Sequence, residues 1–435
     1  MASTVLRKDY SSSGNRQRQT ISVWVKRCSS LGYNQAIFSV RHTGNANYYG
    51  YLRFKTDNSL QYYLHNTNVS LRTNRLFRDV NAWYHIVITV DTTQSTEADR
   101  IKMYINGVQE TSFQSATYPS QNQEVTFGDN YRHEIGSYDG GYYFDGLMSH
   151  FHFITNTAYQ ASTFGSTDST TGEWKINTSP TVTYATNSFF ILKDGNSGTD
   201  QSGQSNNYSV SGGTLTKTED NPSNVFATMN PLDQKGGCIF SKGNTVMQGL
   251  SVSPHDVGTR GTLGMTTGKY YWEWKWSVTS TSQGLGVGII SSNDAVQSSA
   301  NAGGTNYSFT WTPNGGGMYL NGSTTTNNGN FTGSLNSIFG YALDLDNGTI
   351  KIHENGVYYN SGNAVATGIT LGKTYLPYFA ANGGGSQSIL SANFGNGYFG
   401  TTAVSSAGTN ASGIGIFEYD CPAGFTSLST KGLNL

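Results

Sequence analysis

Apolar and polar residues alternate with a period of two along much of this 435-residue chain. In TISVWVKR, Ile21, Val23 and Val25 fall on one side and Ser22, Trp24 and Lys26 on the other. WYHIVITVD keeps the rhythm, with Tyr84, Ile86, Ile88 and Val90 opposite Trp83, His85, Val87 and Thr89. In FDGLMSHFHFI, strict alternation puts Leu147, Phe151 and Phe153 on one face and Met148, His150 and His152 on the other. IKMYINGV at 101–108 and IKIHENGV at 350–357 both run alternating residues into Asn-Gly. That dipeptide favours a type I′ hairpin turn, whose two central residues need positive φ. Helical periodicity is missing between these segments, so the pattern predicts antiparallel strands and short turns rather than βαβ units.

The rhythm breaks once. From Asp194 to Asn221 the chain reads DGNSGTDQSGQSNNYSVSGGTLTKTEDN, polar, glycine-rich and nearly devoid of large apolar residues. Beyond it a second series starts with YYWEWKW, where Trp272, Trp274 and Trp276 share one face and Tyr271, Glu273 and Lys275 the other. LGVGII, IFGYALDLD, GTIKIHENGVYY, TYLPYFA and ILSANFG continue it. The expected organisation is all-β, two tandem antiparallel β-sandwiches over residues 1–193 and 231–435 joined by a polar connector at 194–230.

Composition narrows the function classes. Aromatics make up 13% of the chain, with 28 Tyr beside 53 Gly, which suits pleated sheets and tight turns. Charged residues are only 12%, against about 25% in an average globular protein. The net charge of −1 and the lack of charge runs argue against a nucleic-acid groove or an anionic membrane surface. No stretch approaches the roughly 18 apolar residues of a membrane span, and MASTVLRKDY lacks a signal-peptide core, so synthesis in the cytoplasm without membrane insertion is expected. Cys28, Cys238 and Cys421 are widely spaced and odd in number, and read as buried thiols.

The order ISVWVKR, WYHIVITVD, IKMYINGV and FDGLMSHFHFI resembles the concanavalin A-like, laminin-G-like jelly rolls. FDGLMSHFHFITNTAYQASTFG, with DQSGQSNNYSV and NPSNVFATMNPL after it, resembles a layout found in structural proteins of tailed bacteriophages, marine ones especially. In the second half GKYYWEWKW, LGVGII, FGYALDLDNGTIKIHENGV, TYLPYFA and SANFG resemble the SPRY domain. These resemblances imply binding to carbohydrate or protein, although such folds do not fix one activity.

A glycosidase needs two carboxylates about 5 to 9.5 Å apart. The Glu-x-Asp-x-(x)-Glu pattern of glucanases with this architecture is missing; Asp344-Leu345-Asp346 and Glu418-Tyr419-Asp420 come nearest, and DLDNG reads as turn chemistry. There is no G-x-S-x-G elbow, and the glycine clusters at 303–304, 315–317 and 383–385 lack a phosphate-binding lysine. His150 and His152 could share a metal with a third ligand from another strand; the simpler reading is a pair of solvent-facing imidazoles. Asp139 and Asp145 in the loop-like DGGYYFD have the oxygen chemistry of a calcium site without its spacing. Sugars offer flat apolar faces ringed by hydroxyls, so aromatics in polar loops are the main binding candidates: Tyr48, Tyr49, Tyr142, Tyr143, Trp311 and Tyr319. Trp272, Trp274 and Trp276 read as core.

The combined expectation is a non-enzymatic bacteriophage structural protein on a tail fibre, tail tip or capsid surface, assembled into the virion in the host cytoplasm. Expected partners are other virion proteins, further copies of the chain and a host-surface glycan or receptor, with no nucleic acid. No cofactor is required, calcium being the one metal the resemblance raises. The alternatives are a decoration or cement protein without a host ligand, and a carbohydrate-active enzyme.

Overall fold

The computed structural model describes residues 3–435 except 30, 194–196, 250–255, 279–284, 297–306, 314–315, 322, 325–330 and 383–387. The glycine clusters at 303–304 and 383–385 lie outside the described residues. The chain is all-β, and helical structure among the described residues is limited to short 3₁₀ turns such as Ala161–Thr163. It divides into two compact units: residues 1–217 with 221–223, and residues 218–220 with 224–435.

In the first unit an eight-stranded sheet runs in the order Phe113–Thr117, Val69–Leu76, Ser59–Leu64, Tyr49–Phe54, Gln35–Arg41, Arg132–Ile135, Val5–Asp9, Ser209–Gly212. Facing it is a six-stranded sheet, in the order Phe189–Ile191, Gly146–Thr155, Arg18–Arg27, Trp83–Asp91, Ile101–Ile105, Val108–Glu110. The predicted inward residues meet in one core: Ile21, Val23, Val25, Ile86, Ile88 and Met103 from one sheet against Phe38, Leu52, Phe54, Leu60 and Tyr62 from the other. The polar stretch after residue 194 is less of a connector than its composition suggests. Ser209–Gly212 pairs with Val5–Asp9, Tyr208 is in the core, and Asp200 accepts the Phe190 N–H at 2.9 Å.

The six-stranded sheet is buried on both faces. Its outer side carries Val87, Tyr104 and Ile154, which pack against Ala161, Phe164 and Trp174 from the chain that follows Thr155. Ser22, Trp24 and Lys26, expected on a polar face, are therefore buried as well. In Gly146–Thr155 the pairing with Arg18–Arg27 slips between Ser149 and His152, and His150 takes a φ of +47°. The extra residue of this β-bulge reverses the facing of everything before it. Met148, opposite Val25, joins the core face, and Leu147, opposite Lys26, turns outward, the reverse of strict alternation.

In the second unit a sheet containing Lys269–Val278, Ile338–Asp344, Thr349–Glu354 and Ser388–Asn393 faces one built on Asp256–Gly261, Tyr375–Asn382, Leu285–Ser291 and Ser308–Thr312. Trp272, Trp274 and Trp276 fill the space between them, Trp274 stacking on Phe339 at 4.6 Å. On the opposite side of that strand Tyr271 packs with Phe417 and Cys421. Glu273 beside it is fully buried and accepts the Glu418 and Tyr419 N–H groups, both at 2.8 Å, as well as Asn393 Nδ2 and the Tyr271 hydroxyl.

Both Asn-Gly segments form the hairpins that the sequence predicts, and they do one further thing alike. Asn106 and Gly107 have φ of +48° and +79°, Asn355 and Gly356 +49° and +83°. Each Asn also clamps the start of the preceding strand: Asn106 Oδ1 accepts the His85 N–H at 2.7 Å, Asn355 Oδ1 that of Ile338 at 2.9 Å. Gly107 further lies against the Trp174 ring, where a Cβ would collide. Gly107→Ala is thus expected to lower stability by at least about 1 to 2 kcal/mol through the left-handed backbone alone, measurable by urea denaturation.

Burial outweighs the four hydrogen bonds at Glu273 and pushes its carboxyl up to about 7. The folded chain then keeps a proton that the unfolded chain releases near 4.5, so this group's contribution to stability declines as pH rises from about 4.5 to 7. Comparing denaturation of the native chain and Glu273→Gln across that range should show the native slope reduced in the variant by up to roughly 1.4 kcal/mol per pH unit.

Candidate functional site

With both faces of the six-stranded sheet covered, the outer face of the eight-stranded sheet is the broad sheet surface of the first unit that remains for a ligand. Its centre is aromatic. Along YGYLRF, Gly50, Leu52 and Phe54 turn inward while Tyr49, Tyr51 and Arg53 turn outward; along SLQYYLH, Leu60, Tyr62 and Leu64 turn inward while Gln61, Tyr63 and His65 turn outward. The turn at Lys55–Asn58, closed by Asn58 N–H donating to the Lys55 carbonyl at 2.9 Å, fixes the register. Arg53 lies opposite Gln61 and Tyr51 opposite Tyr63, while the His65 N–H donates to the Tyr49 carbonyl.

The result is a three-rung ladder. Tyr49 stacks on His65 with ring centres 4.6 Å apart and planes 10° from parallel. Tyr51 stacks on Tyr63 at 5.2 Å and 25°. Arg53 donates from Nε and Nη2 to Gln61 Oε1 at 3.3 and 3.1 Å. Cross-strand rungs two residues apart along a strand rise about 6.7 Å each, so the platform extends about 13 Å. Tyr138 closes one side, 5.4 Å from Tyr49 and 5.5 Å from Tyr51, and Tyr142 stacks on Tyr138 at 5.8 Å. The Arg53 guanidinium is held over Tyr51 at 4.0 Å and Tyr142 at 5.2 Å. Burial raises the phenol pKa of Tyr49, Tyr51 and Tyr138, so these hydroxyls remain neutral hydrogen-bonding groups. Tyr142 is 41% exposed and forms the outermost element.

The structure gathers Tyr49 and Tyr142 into this group and leaves the other sequence candidates elsewhere. Tyr48, also exposed, sits beside a smaller pair formed by His42 and Tyr131, whose rings meet edge-to-face at 4.4 Å. Tyr143 is half-buried and donates to the Gly140 carbonyl at 2.8 Å. Trp311 is a correction: it is fully buried in the second unit's core, edge-on to Trp274, and its Nε1 donates to the Phe331 carbonyl. It belongs to the strand Ser308–Thr312, whose every residue is buried, rather than to the loop beyond. Tyr319 is half-buried in the strand Gly317–Leu320, opposite Thr310. Tyr51, Tyr63, Tyr138, His65 and Arg53 lie outside the loop positions to which the sequence reading points, although i, i+2, i+4 alternation of Tyr, Tyr and Arg in YGYLRF already marks an aromatic polar face.

The metal candidates take other roles. His150 and His152 are buried, not solvent-facing, because the bulge and the covering segment enclose them. His150 Nδ1 bonds Ser149 Oγ at 2.8 Å; His152 Nδ1 bonds the Tyr184 hydroxyl at 2.7 Å and its ring stacks on Phe190 at 3.9 Å. His85, buried nearby, contacts Ser22 Oγ through Nε2 and accepts from Trp174 Nε1 through Nδ1. Asp139 and Gly140 are the central residues of a tight hairpin between Tyr138 and Gly141, with φ of +51° and +69°, and the Asp139 carboxylate is paired with Arg41. Asp145 is buried near Arg27. Among the described residues no three His, Cys, Asp or Glu side chains converge as a metal site.

The carboxylate pairs are bound into turns. Asp344 accepts the N–H groups of Asp346 and Asn347 and pairs with Lys269 at 2.9 Å. Glu418 accepts the Ser405 N–H, and Asp420 that of Thr409. A polar cleft of about 250 Å³ beside Lys8, Tyr10, Asn187 and Asn206 is lined by amides already in use, Asn187 donating to the Ser12 and Gly128 carbonyls and Asn206 to that of Ser188.

Residues 5–162 match the family model of the concanavalin A-like lectin/glucanases superfamily, Laminin_G_3, and form a laminin-G-like domain. No curated protein matches the chain. Among solved structures, the chain is similar to the SPRY domain of human HERC1, with 16% identity, 38% of this chain and 96% of that one covered, and a TM-score of 0.32. The TRIM65 PSpry domain follows with 15% identity, 38% and 88% covered, and a TM-score of 0.30. A heptameric SAP-like pentraxin from Limulus polyphemus shares 16% identity over 37% of this chain and 72% of that one, with a TM-score of 0.28.

Burial holds His85 near 3, His133 near 4 and His152 well below the ordinary histidine value. These rings are neutral when folded and take up protons on unfolding below pH 6.5, so their contribution to stability is present above 6.5 and is lost as pH falls through about 4 toward 3. Urea midpoints of the full chain should accordingly fall between pH 7 and pH 4, and His152→Phe should lessen that fall.

Proposed function

We propose that this chain is a non-enzymatic binding component of a bacteriophage virion, displayed on a tail fibre, tail tip or capsid surface, which holds host-surface saccharide on the Tyr49, Tyr51, Tyr63, Tyr138 and Tyr142 platform. One observation carries the reading: stacked phenol rings occupy the open sheet face of a lectin-like domain, where polar side chains would suffice for solubility. A pyranose ring lays its apolar C–H face on such a surface while neighbouring hydroxyl and amide groups meet its rim. The laminin-G-like match of residues 5–162 agrees with carbohydrate or protein binding.

The virion assignment rests on the sequence layout that resembles tailed-phage structural proteins. The non-enzymatic part is supported by the engagement of Asp344, Asp346, Glu418 and Asp420 in their own turns or in interactions with neighbours. A shallow platform binds one saccharide weakly, and repeated copies on a virion raise the effective concentration of the second contact. Recognition needs no metal in this reading.

The test is capture of host envelope polysaccharide by the full chain on an array. Binding should persist in EDTA, release no reducing ends, and weaken roughly tenfold in Tyr49→Ala and in Tyr142→Ala. Absence of saccharide capture together with tight binding to purified capsid or tail proteins would replace this reading with a cement role. Reducing-sugar release lost in Asp344→Asn or Glu418→Gln would make the chain an enzyme.

A further inference from the structure

The polar face of the eight-stranded sheet carries five arginines, and four of them are matched by acids. Arg7 pairs with Glu134 at 3.0 Å, Arg132 with Asp9 at 3.1 Å, Arg41 with Asp139 and Arg72 with Asp57 at 2.5 Å. Arg53 has no carboxylate partner among the described residues. Its guanidinium is desolvated between the Tyr51 and Tyr142 rings, and Nε and Nη2 are oriented by Gln61 Oε1. Nη1 donates no hydrogen bond to the protein among the described residues and is not fully enclosed. Lys55, two residues further along the chain at the start of the turn, adds a second cation; burial first, then Arg53 and Arg72, hold its ammonium below the ordinary lysine value, with Asp57 opposing. One end of the aromatic platform is therefore positive and oriented, while the rings beside it are neutral.

An unneutralised guanidinium costs free energy to desolvate, and a carboxylate reaching Nη1 would offset that cost through a charge-assisted hydrogen bond. We infer that the saccharide held on this platform is acidic: a sugar ring bearing a carboxylate stacks on the tyrosine rungs and directs that carboxylate to Arg53, with Lys55 supplying long-range attraction. The inference rests on the saccharide-binding reading above and adds the chemical class of the ligand. Gln61 is a positioning residue here, because it fixes the plane of the guanidinium without facing the ligand charge.

The experiment uses the full chain on an array of uronate and sialyl oligosaccharides, each printed beside its carboxyl methyl ester. Esterification keeps the ring and its hydroxyls and removes the charge, adding one methyl group at the carboxyl. The expected result is binding at least tenfold stronger to the free acids, weakened by added salt, with the acid-to-ester ratio falling to about one in Arg53→Gln. Arg132→Gln, on the same face but matched by Asp9, should keep the ratio. Equal capture of acids and esters by the native chain overturns the acidic ligand, and an undiminished ratio in Arg53→Gln overturns the seating of its carboxylate on Arg53; either result leaves saccharide binding intact. Capture of neither acids, esters nor neutral host polysaccharide overturns both. The native comparison of acid with ester decides the matter even should Arg53→Gln fold poorly.

Discussion

The first unit is organised by the double burial of its six-stranded sheet. A sandwich with two sheets has four faces, of which two necessarily form the core. Here a third is taken by Ala161, Phe164 and Trp174 packing over Val87, Tyr104 and Ile154. The same covering encloses His85 and His152, keeps both neutral and gives each a fixed hydrogen-bond partner. Everything the unit can offer a ligand over a broad sheet surface is therefore concentrated on the fourth face.

On that face cross-strand register does what loops do in many binding proteins. Tyr51 and Tyr63 meet because the turn at Lys55–Asn58 sets them opposite, and a shift by one residue would carry them into the core and bring Leu52 and Leu64 out. Rings on strands lose less freedom on binding than rings on loops, which favours a preorganised platform. The short hairpin at Asp139-Gly140 adds Tyr138 and Tyr142 from outside the strand pair, and its acid is engaged by Arg41 rather than by Arg53.

The second unit repeats the strategy with different chemistry. The far side of its tryptophan strand is also covered by a later stretch of chain, and a single carboxylate, Glu273, receives two backbone N–H groups from it. In both units an Asn-Gly turn joins two strands while its asparagine clamps the strand before them. The likeness between IKMYINGV and IKIHENGV thus extends from the turn dihedrals to the hydrogen bonds around them.

Alternation alone determined the all-β class, the inward residues of most strands and both Asn-Gly hairpins, since pleat and turn geometry depend on neighbours within a few residues. The tryptophans at 272, 274 and 276 were legible as core for the same reason. Tertiary structure decided what depends on distant segments. The bulge at His150, invisible to a strict period of two, exchanged the faces of Leu147 and Met148. The covering chain turned supposedly exposed histidines into buried ones, and the pairing of strands brought Trp311 inside. The polar stretch after residue 194 became a sheet edge through pairing with Val5–Asp9, about two hundred residues away. The aromatic platform belongs to this second kind: its tyrosines are evident in the sequence, but their stacking, and the one arginine of that sheet face left without an acid among the described residues, follow from register between strands and from contacts with a hairpin some eighty-five residues further along the chain.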